Sequence, residues 1–228
     1  PLIQMDDKGE EKMGKAANSS ISLKQIHVTD NFWNKYVHLV KDVIIPYQWD
    51  ILNDKLEDVE TSHCIENFKI AAGEKEGEFQ GAVFQDTDVA KWLEAVGFVL
   101  NYERDEKLEE LADETIELIG RAQQPDGYLN TYFTIKEPDG RWSNLMEGHE
   151  LYTAGHMIEA AVAYYEATGK RRFLEIVSKF ADLVCQTFGP EEGKIHGYPG
   201  HQEIELALVK LYRVTREKKY LDLAKYFI

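Results

Sequence analysis

From residue 30 onward, apolar side chains recur three and four positions apart, the spacing that gives a helix one buried face. A first run carries Phe32, Trp33, Tyr36, Val40, Val43 and Ile44, with Thr29 as its N-cap candidate and Pro46 as a kink or restart. A second spans Asp86–Tyr102 through Val89, Trp92, Leu93, Val96 and Leu100, and a third follows through Leu108, Leu111, Ile116 and Ile119. The helical period returns at Leu151–Ala167, Phe173–Phe188, Glu203–Val214 and Tyr220–Ile228. Between them, Gln123–Met146 reads as a long loop rich in glycine, proline and aromatics. No run alternates like a strand, although Lys194–His196 could be briefly extended.

The chain also repeats itself. Tyr165-Glu-Ala-Thr168-Gly-Lys-Arg-Arg-Phe173-Leu174-Glu175 aligns without gaps on Tyr212-Arg-Val-Thr215-Arg-Glu-Lys-Lys-Tyr220-Leu221-Asp222, and a weaker copy starts at Tyr102. Each copy ends one helix in a basic turn and opens the next with an aromatic-Leu-acid triplet, so the unit is a stacked helical hairpin. The tight turns fall at one end of the hairpins, and the long segments 123–146 and 189–200 at the other. A rigid scaffold with long aromatic loops on one side is where a ligand site is built. The expected fold is all-α, the hairpins of an (α/α)6 toroid that this chain leaves incomplete. At the observed spacing six hairpins need about 300 residues.

Charge narrows the partners. Lys and Arg total 26 against 41 Asp and Glu, a formal net charge of −15. That field repels nucleic acid and anionic membranes but not a neutral glycan. No stretch approaches the roughly 18 apolar residues of a membrane span. Residues 1–21 read as a flexible polar lead-in without the apolar core of a secretory signal, and 22–228 as the domain portion. Cys64 and Cys185 match no metal or disulfide motif and read as reduced core thiols of a cytoplasmic protein. An unclosed ring could also expose apolar surface and self-associate.

The candidate chemistry lies at helix starts and in the long loops. Pro125-Asp126-Gly127 marks a turn, with Tyr128 positioned to stack on a ring and Asn130 to bond hydroxyls. His149 and Glu150 open one helix, and His201, Gln202 and Glu203 stand at the matching place in the next hairpin. His149 suits a donor to a sugar hydroxyl; His156 reads as a satisfied core histidine. The two histidines are seven residues apart, roughly 10 Å along a helix, too far for the two-histidine zinc motif. Asp86 and Asp88 are paired carboxylates of the sort glycoside hydrolysis uses, with helix capping as the alternative. Gln48, between Tyr47 and Trp49, could bond to a sugar.

Taken in order, these segments resemble glycoside hydrolase family 127, the β-L-arabinofuranosidases. The matches are Asp30-Asn31-Phe32-Trp33, Ile45-Pro46-Tyr47-Gln48-Trp49, Asp86-Thr87-Asp88-Val89-Ala90-Lys91-Trp92-Leu93-Glu94-Ala95 and Gln124-Pro125-Asp126-Gly127-Tyr128-Leu129. His149-Glu150-Leu151-Tyr152 through His156 and Gly200-His201-Gln202-Glu203-Ile204-Glu205 complete them. The resemblance covers about residues 22–228. It implies a ring of helical hairpins followed by β-rich domains, and removal of terminal β-L-arabinofuranose with retention. It further implies a zinc-bound cysteine nucleophile and a glutamate acid/base, with Gln48, His149 and His201 lining the subsite for the terminal sugar. Those zinc ligands, the nucleophile and the acid/base are expected beyond residue 228, so this chain is expected to hold substrate-binding but no catalytic or metal-binding residues. Two alternatives are an unsaturated glucuronyl hydrolase-like enzyme, which would need cations such as Lys136, Arg141 and Lys194, and a non-enzymatic helical-repeat scaffold.

Overall fold

The structure, a computed structural model, describes residues 21–228. All of the expected lead-in except Ile21 therefore lies outside the described residues. The regular elements among them are all helical. After a short 3-10 turn at Leu23–Gln25 come α1 (Trp33–Leu39), a π-helical turn (Val40–Ile44), α2 (Ile45–Leu52) and α3 (Cys64–Ala71). Then follow α4 (Asp86–Tyr102), α5 (Glu106–Ala122), α6 (Thr131–Ile135), α7 (Glu150–Thr168), α8 (Arg172–Thr187), α9 (Ile204–Thr215) and α10 (Lys218–Phe227). Among the described residues the sole β feature is a parallel bridge between Phe188 and Ile195, of which Ile195 falls in the piece Lys194–His196 expected to be extended.

The helices form two layers. α4, α7 and α9 pack side by side, while α5, α8 and α10 lie against them as hairpin partners. Burial explains the division. α7 is buried nearly all round, from Leu151 and Ala154 to Ala163 and Tyr164, as an inner helix must be. α5, α8 and α10 bury one stripe each, such as Phe173, Val177, Phe180 and Val184 on α8, and turn their charges outward. Glycine sets the closest approach. A Cβ on Gly97 would lie 2.9 Å from the backbone of Ala163 and Tyr164, and one on Gly155 would lie 2.9 Å from the Ile204 amide nitrogen. Matching depths along each helix make α4, α7 and α9 parallel, so their N-termini share one end.

The repeat is physical as well as textual. Thr168 and Thr215 each bond back to a carbonyl four residues earlier, Tyr164 and Leu211, at 2.8 Å. Gly169 and Arg216, the next residues, both close their helix in the left-handed conformation with φ of 76° and 66°. Glycine does this freely; an L side chain such as arginine's costs roughly 1 kcal/mol there. The aromatic that opens each following helix, Phe173 or Tyr220, is buried.

Three local expectations are corrected, and one helix that no pattern announced is added. Asp30, not Thr29, caps the first helix, accepting from the amides of Phe32 and Trp33 at 2.9 and 2.7 Å. The segment 123–146 is not all loop, because Asn130 caps α6 by accepting from the Phe133 amide. Helix α3 carries no obvious stripe: its buried face includes Asn67, whose side chain ties it to Gln80 in both directions. Cys185 is half-buried rather than in the core. The face of α1–α2 is the least covered, with Phe32, Trp33, Tyr36, Val43 and Tyr47 exposed.

Candidate functional site

The parallel N-termini of α4, α7 and α9 and the C-terminal end of α2 meet at one end of the inner layer. Two surfaces form there. The first is a cleft of about 730 Å³ lined by Gln48, Ser62, Gln85, Asp88, Lys91 and Trp92. Gln85 organises it: its side-chain amide donates to Asp88 at 2.8 Å and to Ser62 at 3.3 Å, while its oxygen accepts from the Ala82 amide. Asp54 fixes the opposite wall by accepting from the backbone amides of Ser62 and His63. Gln48 and Asp88, 40 residues apart in sequence, thus share a cleft.

The second surface is a wall of rings. His149 and His201 face each other with centroids 4.8 Å apart, and Tyr152 touches both at 5.9 and 5.6 Å. Phe84 covers the far side of His149, and His156 stands edge-on to Tyr152 at 4.4 Å. Lys91 joins wall to cleft, its Nζ 3.2 Å from Thr87 Oγ1 and 3.3 Å from the Tyr152 hydroxyl. Glycine again permits the contact between the loops: a Cβ on Gly200 would sit 2.5 Å from Met146 Cα. The histidines are therefore held by backbone approach.

His149 itself begins α7 in the left-handed region, with φ of 54°. Its Nδ1 lies 2.6 Å from the carbonyl of Glu147. A carbonyl only accepts, so Nδ1 carries a proton and Nε2 is the ring nitrogen left for a ligand. His156 is corrected: neither ring nitrogen makes a hydrogen bond, although Nδ1 lies 3.3 Å from Glu203 Oε1. Burial, and next the charge of Lys91, lower its pKa to about 4. Glu203 moves the other way, to about 7, because it is buried and faces the carboxylates of Glu159 and Glu94. Asp88 is raised by burial and held back by Lys91.

Three of the candidate ligand residues are used up beneath this surface. Asp86, only 1% exposed, accepts from both the amide and the hydroxyl of Thr131. Tyr128 is fully buried, and its hydroxyl donates to Glu150, whose other oxygen accepts from the Trp142 amide. Arg141 covers the Tyr128 ring at 3.9 Å, and Trp142 and Phe180 meet it edge-on. Burial raises Asp86 to about 6 and Glu150 to about 7, against the lowering effect of those hydrogen bonds. None of the three reaches the cleft. They hold the 123–149 segment on the helix ends, which is why these polar types stand beside the turn residues.

Lys91, Gln85 and Tyr152 are the participants that motif reasoning passed over. The signal was present: Thr87, Asp88 and Lys91 lie on one face of α4 by their spacing of three and four. For zinc, the residues present do not fit. Among the described residues no three His, Cys, Asp or Glu side chains converge as a metal set. The Cys64 thiol donates to the Gln85 carbonyl and is pushed far above its usual pKa by burial, and Cys185 is pushed up to about 12. Thiols in such surroundings are neither ligands nor nucleophiles.

Comparison with known proteins extends this geometry. Residues 25–228 match the family profile for the β-L-arabinofuranosidase, GH127 catalytic domain. A non-reducing end β-L-arabinofuranosidase of Bifidobacterium longum subsp. longum is 46% identical over 219 residues, 89% of this chain and 33% of that protein. The crystal structure of a GH127 β-L-arabinofuranosidase from Geobacillus stearothermophilus T6 superposes with a TM-score of 0.87 at 64% identity, covering 88% of this chain and 32% of that one. A solved GH127 β-arabinofuranosidase gives a TM-score of 0.84 at 39% identity, over 91% of this chain and 33% of its own. The chain thus spans about a third of the length of these relatives.

Proposed function

The chain belongs to the GH127 β-L-arabinofuranosidase family, and on that premise we propose that it forms part of the sugar-binding half of an enzyme that removes terminal β-L-arabinofuranose from glycans with retention. The observation that carries this reading is the joined cleft and ring wall. It offers an amide at Gln48, a ring nitrogen at His149 and flat rings at Tyr152 and His201, tools for a neutral polyhydroxylated ring. Its carboxylates would repel an acidic sugar, which weighs against a uronide substrate.

The nucleophile, the acid/base and zinc belong, in this reading, to parts of the enzyme outside residues 1–228. The two inert thiols and the fully bonded Asp86 and Glu150 support that division. Further hairpins would complete the ring and cover the bare face of α1–α2. Two unpaired thiols are compatible with a cytoplasmic setting. Among the described residues, no helix is long and apolar enough to cross a membrane.

The test compares release of L-arabinose from a simple β-L-arabinofuranoside by residues 1–228 and by the protein extended to its relatives' length, with and without zinc. Turnover by the extended protein alone is expected. Turnover by residues 1–228 would place the chemistry here, and silence from both would remove the arabinofuranosidase reading.

A further inference from the structure

Lys91 is the one cation lining the cleft among the described residues. Its ammonium has three N–H bonds. Thr87 Oγ1 and the Tyr152 hydroxyl take two of them, at 3.2 and 3.3 Å, and no third acceptor stands against it among the described residues. The residue is exposed, so the third donor faces the opening between cleft and wall. Its Nζ also lies over the Tyr152 ring, 5.2 Å from the centroid, where a cation is attracted by the π face.

The neighbouring charges define what this donor can hold. Asp88 is one turn away on α4, Glu60 lines the same cleft, Glu203 approaches from α9, and His156 of α7 is kept neutral. A lone cation that shares its cleft with Asp88 and Glu60 is flanked by opposite charge. It acts as a directed hydrogen-bond donor, and an incoming carboxylate or phosphate would meet net negative potential. The His149 ring opposite presents Nε2, since its Nδ1 is bonded to the Glu147 carbonyl. A ligand lying between them must therefore accept from the ammonium at one end and meet a ring nitrogen at the other, as a pair of hydroxyls can.

We propose that Lys91 is a ligand-binding residue of this site: its third N–H donates to a hydroxyl of a neutral sugar that spans from the Gln48–Asp88 cleft to the His149–His201 wall. The proposal rests on the reading of the site as a neutral-sugar site. Tyr152 orients the ammonium and offers its ring edge to the same ligand. The pairing discriminates against deoxy sugars lacking either hydroxyl, because a donor covered by the bound sugar would be left unpaired.

The experiment uses the protein extended to its relatives' length, with Lys91→Met and Lys91→Arg variants. KM and kcat are measured on 4-nitrophenyl β-L-arabinofuranoside, and calorimetry measures binding of L-arabinose and D-galacturonate to the same proteins. Loss of a charged hydrogen bond predicts KM and the arabinose Kd about 10- to 100-fold higher in K91M. The kcat should stay within about threefold, and K91R should recover most of the loss. Turnover by the wild type with unchanged KM and Kd in K91M overturns the proposal and leaves the arabinofuranosidase reading intact. Absent turnover with arabinose binding lost in K91M sinks that reading and leaves Lys91 in place. Equal loss in K91M and K91R with a lowered melting temperature would make Lys91 a structural residue. Galacturonate binding tighter than arabinose, abolished in K91M, would make it an anion trap and overturn the neutral-sugar assignment.

Discussion

Glu150 and His149 are adjacent in the chain at the start of α7, yet they belong to two regions with opposite economies of hydrogen bonding. Below the helix start, Glu150, Tyr128, Trp142, Asp86 and Thr131 close a network in which each oxygen of the two buried carboxylates has a donor. Beside it, Gln48, His149, His201 and Lys91 keep polar atoms turned toward an opening. A closed network gives rigidity, because breaking one bond strands its partner in a low dielectric. An open wall gives recognition, because its groups complete their bonds only when a ligand arrives. The closed region is what makes the open one accurate.

The largest effect should follow from breaking the closed region. Glu150→Ala leaves the Tyr128 hydroxyl and the Trp142 amide without acceptors and opens a void, a loss of about 3 kcal/mol or more. Thermal unfolding of E150A would show it, and a melting temperature near that of the wild type would contradict the network. Glu150→Gln keeps the shape and should cost far less. It also isolates the pH dependence. With its folded pKa at about 7, above the ordinary 4.5, Glu150 binds its proton more tightly in the folded state. Its contribution is complete below pH 4.5 and is lost as pH rises through 7. E150Q should therefore flatten the decline of stability between those values; an unchanged profile would assign it to Asp86 and Glu203 instead.

A change at the seam between the regions should be intermediate. Gly155→Ala drives a methyl into Glu203 Cγ, 2.6 Å away, and into the Ile204 amide. The start of α9 must move off α7, costing about 1–3 kcal/mol and carrying His201 away from His149. Lower stability together with weaker sugar binding is expected; loss of stability alone would uncouple the seam from the site. The smallest stability effect belongs to the open wall. His149→Ala and His201→Ala should each stay within about 0.5 kcal/mol of the wild type while weakening L-arabinose binding about tenfold. A large drop in melting temperature would show that these rings serve the scaffold.

The long periodic helices were readable from the chain because their stripes run over four or five turns, as in α4, expected and found at Asp86–Tyr102. The repeat also survived translation into structure, down to the left-handed residue shared by Gly169 and Arg216. Helix α3 escaped because eight residues with a buried asparagine show no stripe. At the site, spacing identified which end of the helices carries the polar side chains. It could not separate spent groups from free ones. Asp86 and Asp88 are two residues apart on the start of α4, and only their neighbours in space decide that one meets Thr131 and the other a cleft. Lys91 was hidden by the same ambiguity, since a lysine on a helix surface reads as a solvated charge until Tyr152 and Thr87 are seen around it.

The π-helical turn at Val40–Ile44 carries a last consequence. There the amide of Ile45 reaches the carbonyl of Val40, five residues back, immediately before Pro46. The turn holds one residue more than a regular helix would over the same rise, and each residue advances a helix by about 100°. The direction in which Gln48 looks is thus a matter of phase. Delete any one residue between 40 and 44 and the segment would keep its composition, its apolar stripe and its proline, yet aim its glutamine a quarter-turn or more away from the cleft. What places the cleft-lining amide of Gln48 is a count of residues upstream of it.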